Sequence, residues 1–507
     1  MKIKTEKMGR KRAIIVSLLL TSLLGHVPAV ANPAVEKKPN VVFIFIDDMG
    51  WGDLGCYGND FIDTPRIDQL AADGLRFTNF YASGAVCSPT RCAVQSGQNQ
   101  ARIGITAHIP GHWRPFERVI TPQTTMALPL DVITVAESMQ SAGYKTGYVG
   151  KWHLGRGDKF GPAKHGYEFA AEINGAHLPG KYRAMNKNLP QPKKGQFRTD
   201  YEADLCEQFI RENKDKPFFL MLSPYQVHIP LASKSELVEK YRKRAKERKR
   251  ELPHPVYAAM VEEVDALVGR VVDAIEAQGL TKKTMIVVTS DNGGLYRRYD
   301  YRAHADDNVS SLAPLKGEKG SLHEGGIRVP AIIEWPRKIK PAVTDFPAST
   351  MDIMPTLVDL LDLPDASMLP IVDGESIAAL FDGNTPKRSH PIPFTMKGTA
   401  LIDGDLKLLK VGRGKGAKWA LFDVAKDPGE KKDVSGEHPE ILEALKAKAE
   451  KLTTSVEASS EGSDYPEGKV LQPQRGTPWM EMPEYQKLYP TFQKLKPAWR
   501  PPGRGKE

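Results

Sequence analysis

Cysteine is scarce in this chain: Cys56, Cys87, Cys92 and Cys206 are the four in 507 residues. No C-x-x-C pair is present, which argues against a structural zinc site. The even number permits two bridges in an exported protein, but four thiols are sparse for this length, and the pairing stays open. Long apolar runs are missing too. After the first thirty-one residues no stretch approaches the roughly 20 apolar residues that cross a bilayer, so no stable membrane insertion is expected. No internal repeat appears, which removes solenoids and propellers. Charge of one sign is also lacking. Lys and Arg number 71 against 62 Asp and Glu, a formal +9. Six of those cations and one acid (Glu6) fall within residues 1–31, so roughly +4 remains on the rest, and no nucleic-acid partner is expected.

The N-terminus explains part of that excess. MKIKTEKMGRKR is basic, AIIVSLLLTSLLG is apolar, and small residues follow up to Ala29-Val30-Ala31. This is the pattern of a secretory signal peptide over residues 1–31, cut after Ala31, and it implies export to a periplasm or the outside. The apolar run is too short for an anchor.

What is present is an alternation of strands and helices. VVFIFI (41–46), a run near 144–149, FFLMLS (218–223) and MIVVTS (285–290) read as buried strands of a parallel sheet. Thr64-Pro65 opens a helix as N-cap and N1, and Gly74 stops it. Thr134 and Glu137 form a capping box. Residues 256–277 form a long amphipathic helix. The pattern predicts an α/β fold with a large, mostly parallel sheet between helices over residues 32–382. After residue 382, GTALIDGDLKLLKVG and KWALFDV read as short antiparallel strands, followed by a helix near 439–452. Residues 383–464 are read as a small α+β subdomain. Residues 465–507 are a Pro-rich, aromatic extension. The run KSELVEKYRKRAKERKRE (234–251) is expected to be a solvated helix face, with attraction of a polyanion as the alternative.

In open α/β sheets ligands bind beyond the carboxyl ends of the strands. Two of the strongest apolar strands here end in oxygen donors, Asp47-Asp48 and Asp291-Asn292. Three carboxylates and an amide, with no sulfur, suit a hard cation, Ca²⁺ or Mg²⁺. Adjacent buried acids also repel unless a cation neutralises them. Cys87 precedes Ser88, Pro89, Thr90 and Arg91. With Ser88 as cap, a helix starting at Pro89 would set residue 87 at a positive helix end, and Arg91 adds a planar cation suited to an oxyanion. GKWHLG brings Lys151 and His153, VHIP brings His228, and LKGEKGSLHEGG brings Lys319.

C-S-P-T-R resembles the C-x-P-x-R sequence of the type I, formylglycine-dependent sulfatases, in the arylsulfatase and N-acetylgalactosamine-6-sulfatase branch of the alkaline phosphatase-like superfamily. The strand ending in Asp47-Asp48, GKWHLG, the His228-x-Pro step, SDNGG, GEKG, EGGIRVPAIIEWP, STMDIMPTLVDLLDLP and LFDVAKDPGEKKD follow in that family's order, from about residue 40 to about 453. The resemblance implies an alkaline phosphatase-like sheet and hydrolysis of sulfate esters. It implies that a maturation enzyme oxidises Cys87 to formylglycine (3-oxoalanine), and that Asp47, Asp48, Asp291 and Asn292 hold one Ca²⁺ that also meets residue 87. It further implies that Arg91 and Lys151 steady the hydrated aldehyde, that His228 and Lys319 serve the leaving oxygen, and that His153 helps a sulfated hemiacetal intermediate expel sulfate. A sulfated polysaccharide or oligosaccharide is the expected substrate. A phosphate or phosphonate ester hydrolase on the same scaffold is the alternative, and a catalytically dead polyanion binder is a third reading. Cys92 departs from the pattern and is expected to be a packed thiol. His323 stands where the family often has an aromatic residue, and both substrate contact and a structural role remain open for it. His108 and His112 are further loop candidates for substrate contact.

Overall fold

The structure, a computed structural model, describes residues 38–109, 125–297, 308–396, 398–412 and 416–464, with residues 483, 487, 490 and 491. The signal peptide read at residues 1–31, His112 and nearly all of the extension from 465 lie outside the described residues.

Among the described residues ten strands make one sheet: β1 (Asn40–Ile46), β2 (Leu75–Tyr81), β3 (Lys145–Gly150), β4 (Phe169–Gly175), β5 (Tyr182–Ala184), β6 (Phe218–Ser223), β7 (Thr284–Ser290), β8 (Arg328–Glu334), β9 (Ala342–Thr344) and β10 (Ala348–Ser349). Their order is β10-β2-β8-β7-β1-β6-β3-β4-β5, with β9 beside β2. From β7 through β4 every pairing is parallel. β8 runs antiparallel to β7 and β2, and β5 to β4. This is the mixed, mostly parallel sheet that the sequence pattern predicts.

β1, β6 and β7 are buried at every position. A strand covered on both faces must be apolar throughout, which is why these three read as unbroken runs. The two faces separate by alternation. Val42, Ile44 and Ile46 pack in a cluster with Val261, Val264 and Val268. Val41, Phe43 and Phe45 pack on the other side with Tyr148, Trp152 and Tyr167.

The helices are α1 (Pro65–Asp73), α2 (Cys87–Ser96), α3 (Val135–Ser141), the single turn α4 (Gly157–Phe160), α5 (Arg198–Asn213), α6 (Ser235–Arg248), α7 (Pro255–Ala277), the single turn α8 (Glu324–Ile327), α9 (Ile353–Leu360) and α10 (Pro439–Ser460). The capping box ahead of α3 forms as the sequence predicts. Three details differ. α2 begins at Cys87, with Val86 as N-cap. The Ser88 hydroxyl caps nothing there, because it bridges the Ile109 N–H and the His153 carbonyl. Thr64 stands at the cap of α1 but turns its hydroxyl to the Gly55 N–H and Asp68; Asp265 of α7 accepts the Arg66 and Ile67 N–H groups instead. α10 runs eight residues past the predicted end because Val456 and Ser459 are buried and Arg102 bonds Ser455 and Ser459.

Residues after 390 form a second, antiparallel sheet in sequential order: β11 (Ile392–Met396), β12 (Gly398–Asp403), β13 (Leu406–Val411) and β14 (Lys418–Asp423). One face, with Leu401, Leu408 and Leu421, is covered by Leu445 and Ala449 of α10. The other, with Phe394, Ile402 and Phe422, packs on Tyr81, Ala85, Ala93 and Ile327. The second sheet therefore presses on the segment that leads to Cys87, on α2 and on the end of α8.

Candidate active site

β1 ends at Ile46 and β7 at Ser290, and these two residues are register partners. Parallel pairing then brings the next residues together: Asp47 beside Asp291, and Asp48 beside Asn292. The Asp48 N–H donates to Asp291 Oδ1 at 3.2 Å, and Asn292 Nδ2 donates to Asp48 Oδ1 at 2.7 Å. Asp48 turns back through a left-handed conformation, φ 66°. All four side chains are buried.

Cys87 opens α2, buried, and Arg91 lies one turn on, on the same helix face. The Arg91 guanidinium donates Nε and Nη2 to Asp291 Oδ2 at 2.9 and 2.6 Å, and Nη1 to the Lys151 carbonyl at 2.7 Å and to Ser223 Oγ. One side chain thus ties the ends of β3, β6 and β7. Lys151 follows Gly150, whose φ is 118° and where a Cβ would lie 2.0 Å from the Ser223 carbonyl oxygen, so only glycine fits. Lys151 Nζ pairs with Asp47 Oδ2. Lys319 Nζ reaches Asp48 at 2.7 to 2.8 Å from both carboxylate oxygens. His228 Nε2 lies 3.6 Å from Asp48 Oδ2.

Two oxygens in this cluster are buried without any hydrogen-bond partner: Asp47 Oδ1 and Asn292 Oδ1. They come from the two different strand tips. Leaving a buried acceptor unmet costs about 1–3 kcal/mol. Ligand atoms of Asp47, Cys87 and Asp291 lie within 4.8 Å of one another, as do those of Asp47, Asp48 and His228. A set dominated by carboxylate and amide oxygens, two of them unmet, fits a hard divalent cation.

The electrostatics agree. Burial opposes ionisation of Asp47, but Lys151, His228, Arg91 and Lys319 together hold it below the usual carboxylate range. Burial and the charge on Asp47 push Asp291 above that range, against the pull of Arg91. Burial would discharge Arg91 and Lys151; Asp291 and Asp47 keep Arg91 protonated, and Asp47 does the same for Lys151. His228 is lowered to about 4 by burial and by Lys319. His153 is lowered by burial, Lys151 and Arg91. Its Nε2 donates to the Ile109 carbonyl, so the neutral ring carries its lone pair on Nδ1, which is buried and unpartnered.

Nine of the residues singled out in the sequence therefore meet around one point: Asp47, Asp48, Cys87, Arg91, Lys151, His228, Asp291, Asn292 and Lys319. His153 sits one hydrogen bond away, its carbonyl bound to Ser88. His323 does not join the cluster; its Nδ1 lies 3.1 Å from Glu430 Oε2. His108 is in the described loop before Ile109. All four thiols are free, and Cys92 is buried in the apolar cluster beneath the sheet, its thiol pushed up by burial.

Other residues of the site escaped the sequence reading. Ser223 holds Arg91, and its place at the end of FFLMLS was a usable signal. The Tyr225 ring centroid lies 5.3 Å from Lys151 Nζ and 5.0 Å from Arg198 Cζ. Buried Asp53 accepts from the Gly50 N–H at 2.6 Å, Ser310 Oγ at 2.8 Å and Tyr257 Oη at 2.5 Å, which braces the turn after Asp48. Asp53 had no local signal, because two of its partners lie over 200 residues away.

The family model described as Sulfatase matches residues 39–363. Human arylsulfatase A is 32% identical over 502 residues, covering 87% of this chain and 90% of that protein. The N-acetylgalactosamine-6-O-sulfatase of Bacteroides thetaiotaomicron is 26% identical, covering 83% and 94%. Among solved structures, Ps i-CgsB in complex with k-i-k-neocarrahexaose superposes with a TM-score of 0.69 at 27% identity, over 82% of this chain and 93% of that one.

Proposed function

The chain belongs to the sulfatase family of sulfuric ester hydrolases, and from that premise we propose that it is an exported enzyme acting on sulfate esters of oligo- or polysaccharides. In this reading residue 87 is matured from cysteine to formylglycine by a separate enzyme, and Asp47, Asp48, Asp291 and Asn292 hold one Ca²⁺. The observation that carries it is the pair of orphaned oxygens, Asp47 Oδ1 and Asn292 Oδ1, in a cluster that also holds Cys87. Ca²⁺ is favoured over Mg²⁺ because it accepts a crowded, irregular set of oxygens.

When bound, the cation supplies Lewis-acid stabilisation of charge on sulfate oxygens. Formylglycine, hydrated, supplies a hydroxyl nucleophile together with an exit route by return to C=O. The remaining work falls to side chains already in position. Arg91 and Lys151, fixed on Asp291 and Asp47, offer preorganised positive charge next to residue 87, where a sulfate would bear its developing charge. Lys319 and His228 both approach Asp48 and are assigned to the leaving oxygen, Lys319 as a cation and His228 as a hydrogen-bonding partner. His153 presents an unprotonated Nδ1 as the base.

A sulfated sugar as substrate is supported by the kinds of protein that resemble the chain, one seen with k-i-k-neocarrahexaose and one named as an N-acetylgalactosamine-6-O-sulfatase. Export rests on the leader peptide. The decisive test is mass spectrometry of the peptide containing Cys87, from protein made in its natural host, paired with turnover of nitrophenyl sulfate and the matching phosphate esters. The expected result is a formylglycine mass at residue 87 and faster sulfate than phosphate release. An unmodified thiol in active protein overturns the mechanism, and faster phosphate release overturns the substrate class.

A further inference from the structure

We propose that Glu430, in the loop after the second sheet, is a positioning residue for Lys319. The inference rests on the assignment of Lys319 to the leaving oxygen only in its choice of substrates. Lys319 sits at the crown of a loop that closes on itself, with the Gly325 N–H donating to the Lys316 carbonyl at 2.7 Å. Besides the Lys319 ammonium on Asp48, the backbone of the crown also holds to the site. The Lys319 N–H donates to the Gly294 carbonyl at 3.0 Å, and the Gly320 N–H to the Ala85 carbonyl at 2.7 Å. Ala85 is two residues before Cys87, and Gly294 is two after Asn292. At the base, the fit against Gly293 is so close that a Cβ there would lie 2.0 Å from the Gly325 carbonyl oxygen.

Glu430 grips both stems of this loop. Its Oε2 accepts the Glu324 N–H at 2.8 Å and faces His323 Nδ1 at 3.1 Å. Its carbonyl accepts Lys316 Nζ at 3.2 Å. Behind it, Lys407 of β13 is fully buried between two acids: Nζ donates to Glu324 Oε1 at 2.9 Å and lies 3.1 Å from Glu430 Oε1, a contact too poorly aligned to be a hydrogen bond. A buried ion set is weak as a source of stability, since apolar replacements of equal volume often do as well. Directional bonds do something apolar contacts cannot: they fix where a glycine-rich loop sits. A displacement of about 1 Å in a catalytic cation can cost on the order of 100-fold in rate.

The test compares Glu430→Gln, Lys319→Ala and the double variant on nitrophenyl sulfate, whose leaving oxygen needs little help, and on an alkyl or sugar sulfate, whose leaving oxygen needs much. Glu430→Gln is expected to lower kcat on the poor leaving group at least about tenfold more than on nitrophenyl sulfate. The double variant is expected to be no slower than Lys319→Ala alone, because the anchor has nothing left to position. If the two single losses multiply in the double variant, Glu430 does not act through Lys319 and the inference is overturned. Equal losses on the two substrates in Lys319→Ala overturn the assignment of Lys319 to the leaving oxygen instead, while the coupling still decides Glu430. Should Glu430→Gln not fold, His323→Ala removes one grip on Glu430 without stranding a buried charge, and the same selective, non-multiplying loss is expected from it at smaller size.

Discussion

Two regions of this molecule are dense in charge, and they differ in kind. At the strand tips, Asp47, Asp48, Asp291, Arg91, Lys151 and Lys319 are drawn from five separate segments, the first five buried and the Lys319 side chain 8% exposed. Along α6, Lys240, Arg244, Arg248 and Arg250, the last just past its end, are zipped to Asp60, Asp63 and Glu262 at the surface. Asp60 is 70% exposed there and Asp63 43%. In the surface cluster these basic groups have acids beside them and water around them. In the buried one, dense ion pairing still leaves two oxygens without a hydrogen bond. Density of charge does not mark function; burial with unmet ligand atoms does. The same contrast weakens the polyanion-binding reading of α6, since Lys240, Arg244, Arg248 and Arg250 are already paired with Asp60, Asp63 and Glu262.

The sharpest way to break this contrast is to remove charge from each cluster in turn. Asp291→Asn keeps the shape of the buried tip but takes one carboxylate from the proposed cation set and replaces the charged oxygen that accepts two Arg91 hydrogen bonds. Sulfate turnover is expected to fall at least about 100-fold, and the rise in melting temperature on adding Ca²⁺ to chelator-stripped protein is expected to shrink or vanish. Turnover and cation response that both survive would remove the distinction between the clusters.

How far each cluster could be read in advance follows from the same physics. β1, β6 and β7 were legible because strands buried on both faces must be unbroken apolar runs, and the acids at their ends stood out against them. Parallel register then fixes that Asp47 meets Asp291, which is why so much of the site was visible. What stayed hidden is held by contacts distant in sequence. Asp53 depends on Tyr257 and Ser310, and Glu430 reaches back over a hundred residues to His323 and Glu324. The start of α2 was misread for a related reason: the Ser88 hydroxyl is a good cap locally, but Ile109 and His153 claim it. The short edge strands β5, β9 and β10, of three residues or fewer, carry no periodicity that could reveal them.

A buried group with no counter-charge makes a third point on the scale. His165 has neither ring nitrogen hydrogen-bonded and packs against Trp152, ring centroids 5.4 Å apart. Burial alone lowers it to about 4. The unfolded chain binds that proton near pH 6.5 and the folded one only near 4, so folded stability falls as pH drops through this window, by up to about 3 kcal/mol at its lower end. His165→Phe is expected to flatten that part of the acid branch in melting temperature against pH. An unchanged acid branch would mean that the ring takes up its proton in the folded state and that burial carries no cost there.

The smallest effect is expected on the surface. Against α6, the Asp63 carboxylate takes a bidentate Arg244, at 2.8 and 2.7 Å, and an ion pair with Lys240 at 2.7 Å. The Arg244 hydrogen bond is the main cause that lowers it to about 2, against mild burial. A depressed carboxylate contributes stability above its unfolded value near 4 and loses it as pH falls toward 2. Because the side chain is 43% exposed, water and salt screen the pairs, and Asp63→Ala is expected to cost no more than about 1 kcal/mol in chemical denaturation at pH 7. That cost should shrink in high salt, with sulfate turnover within about twofold of the parent. A loss of turnover comparable to Asp291→Asn would mean that α6 belongs to the working site after all, and that burial was the wrong criterion for telling the two clusters apart.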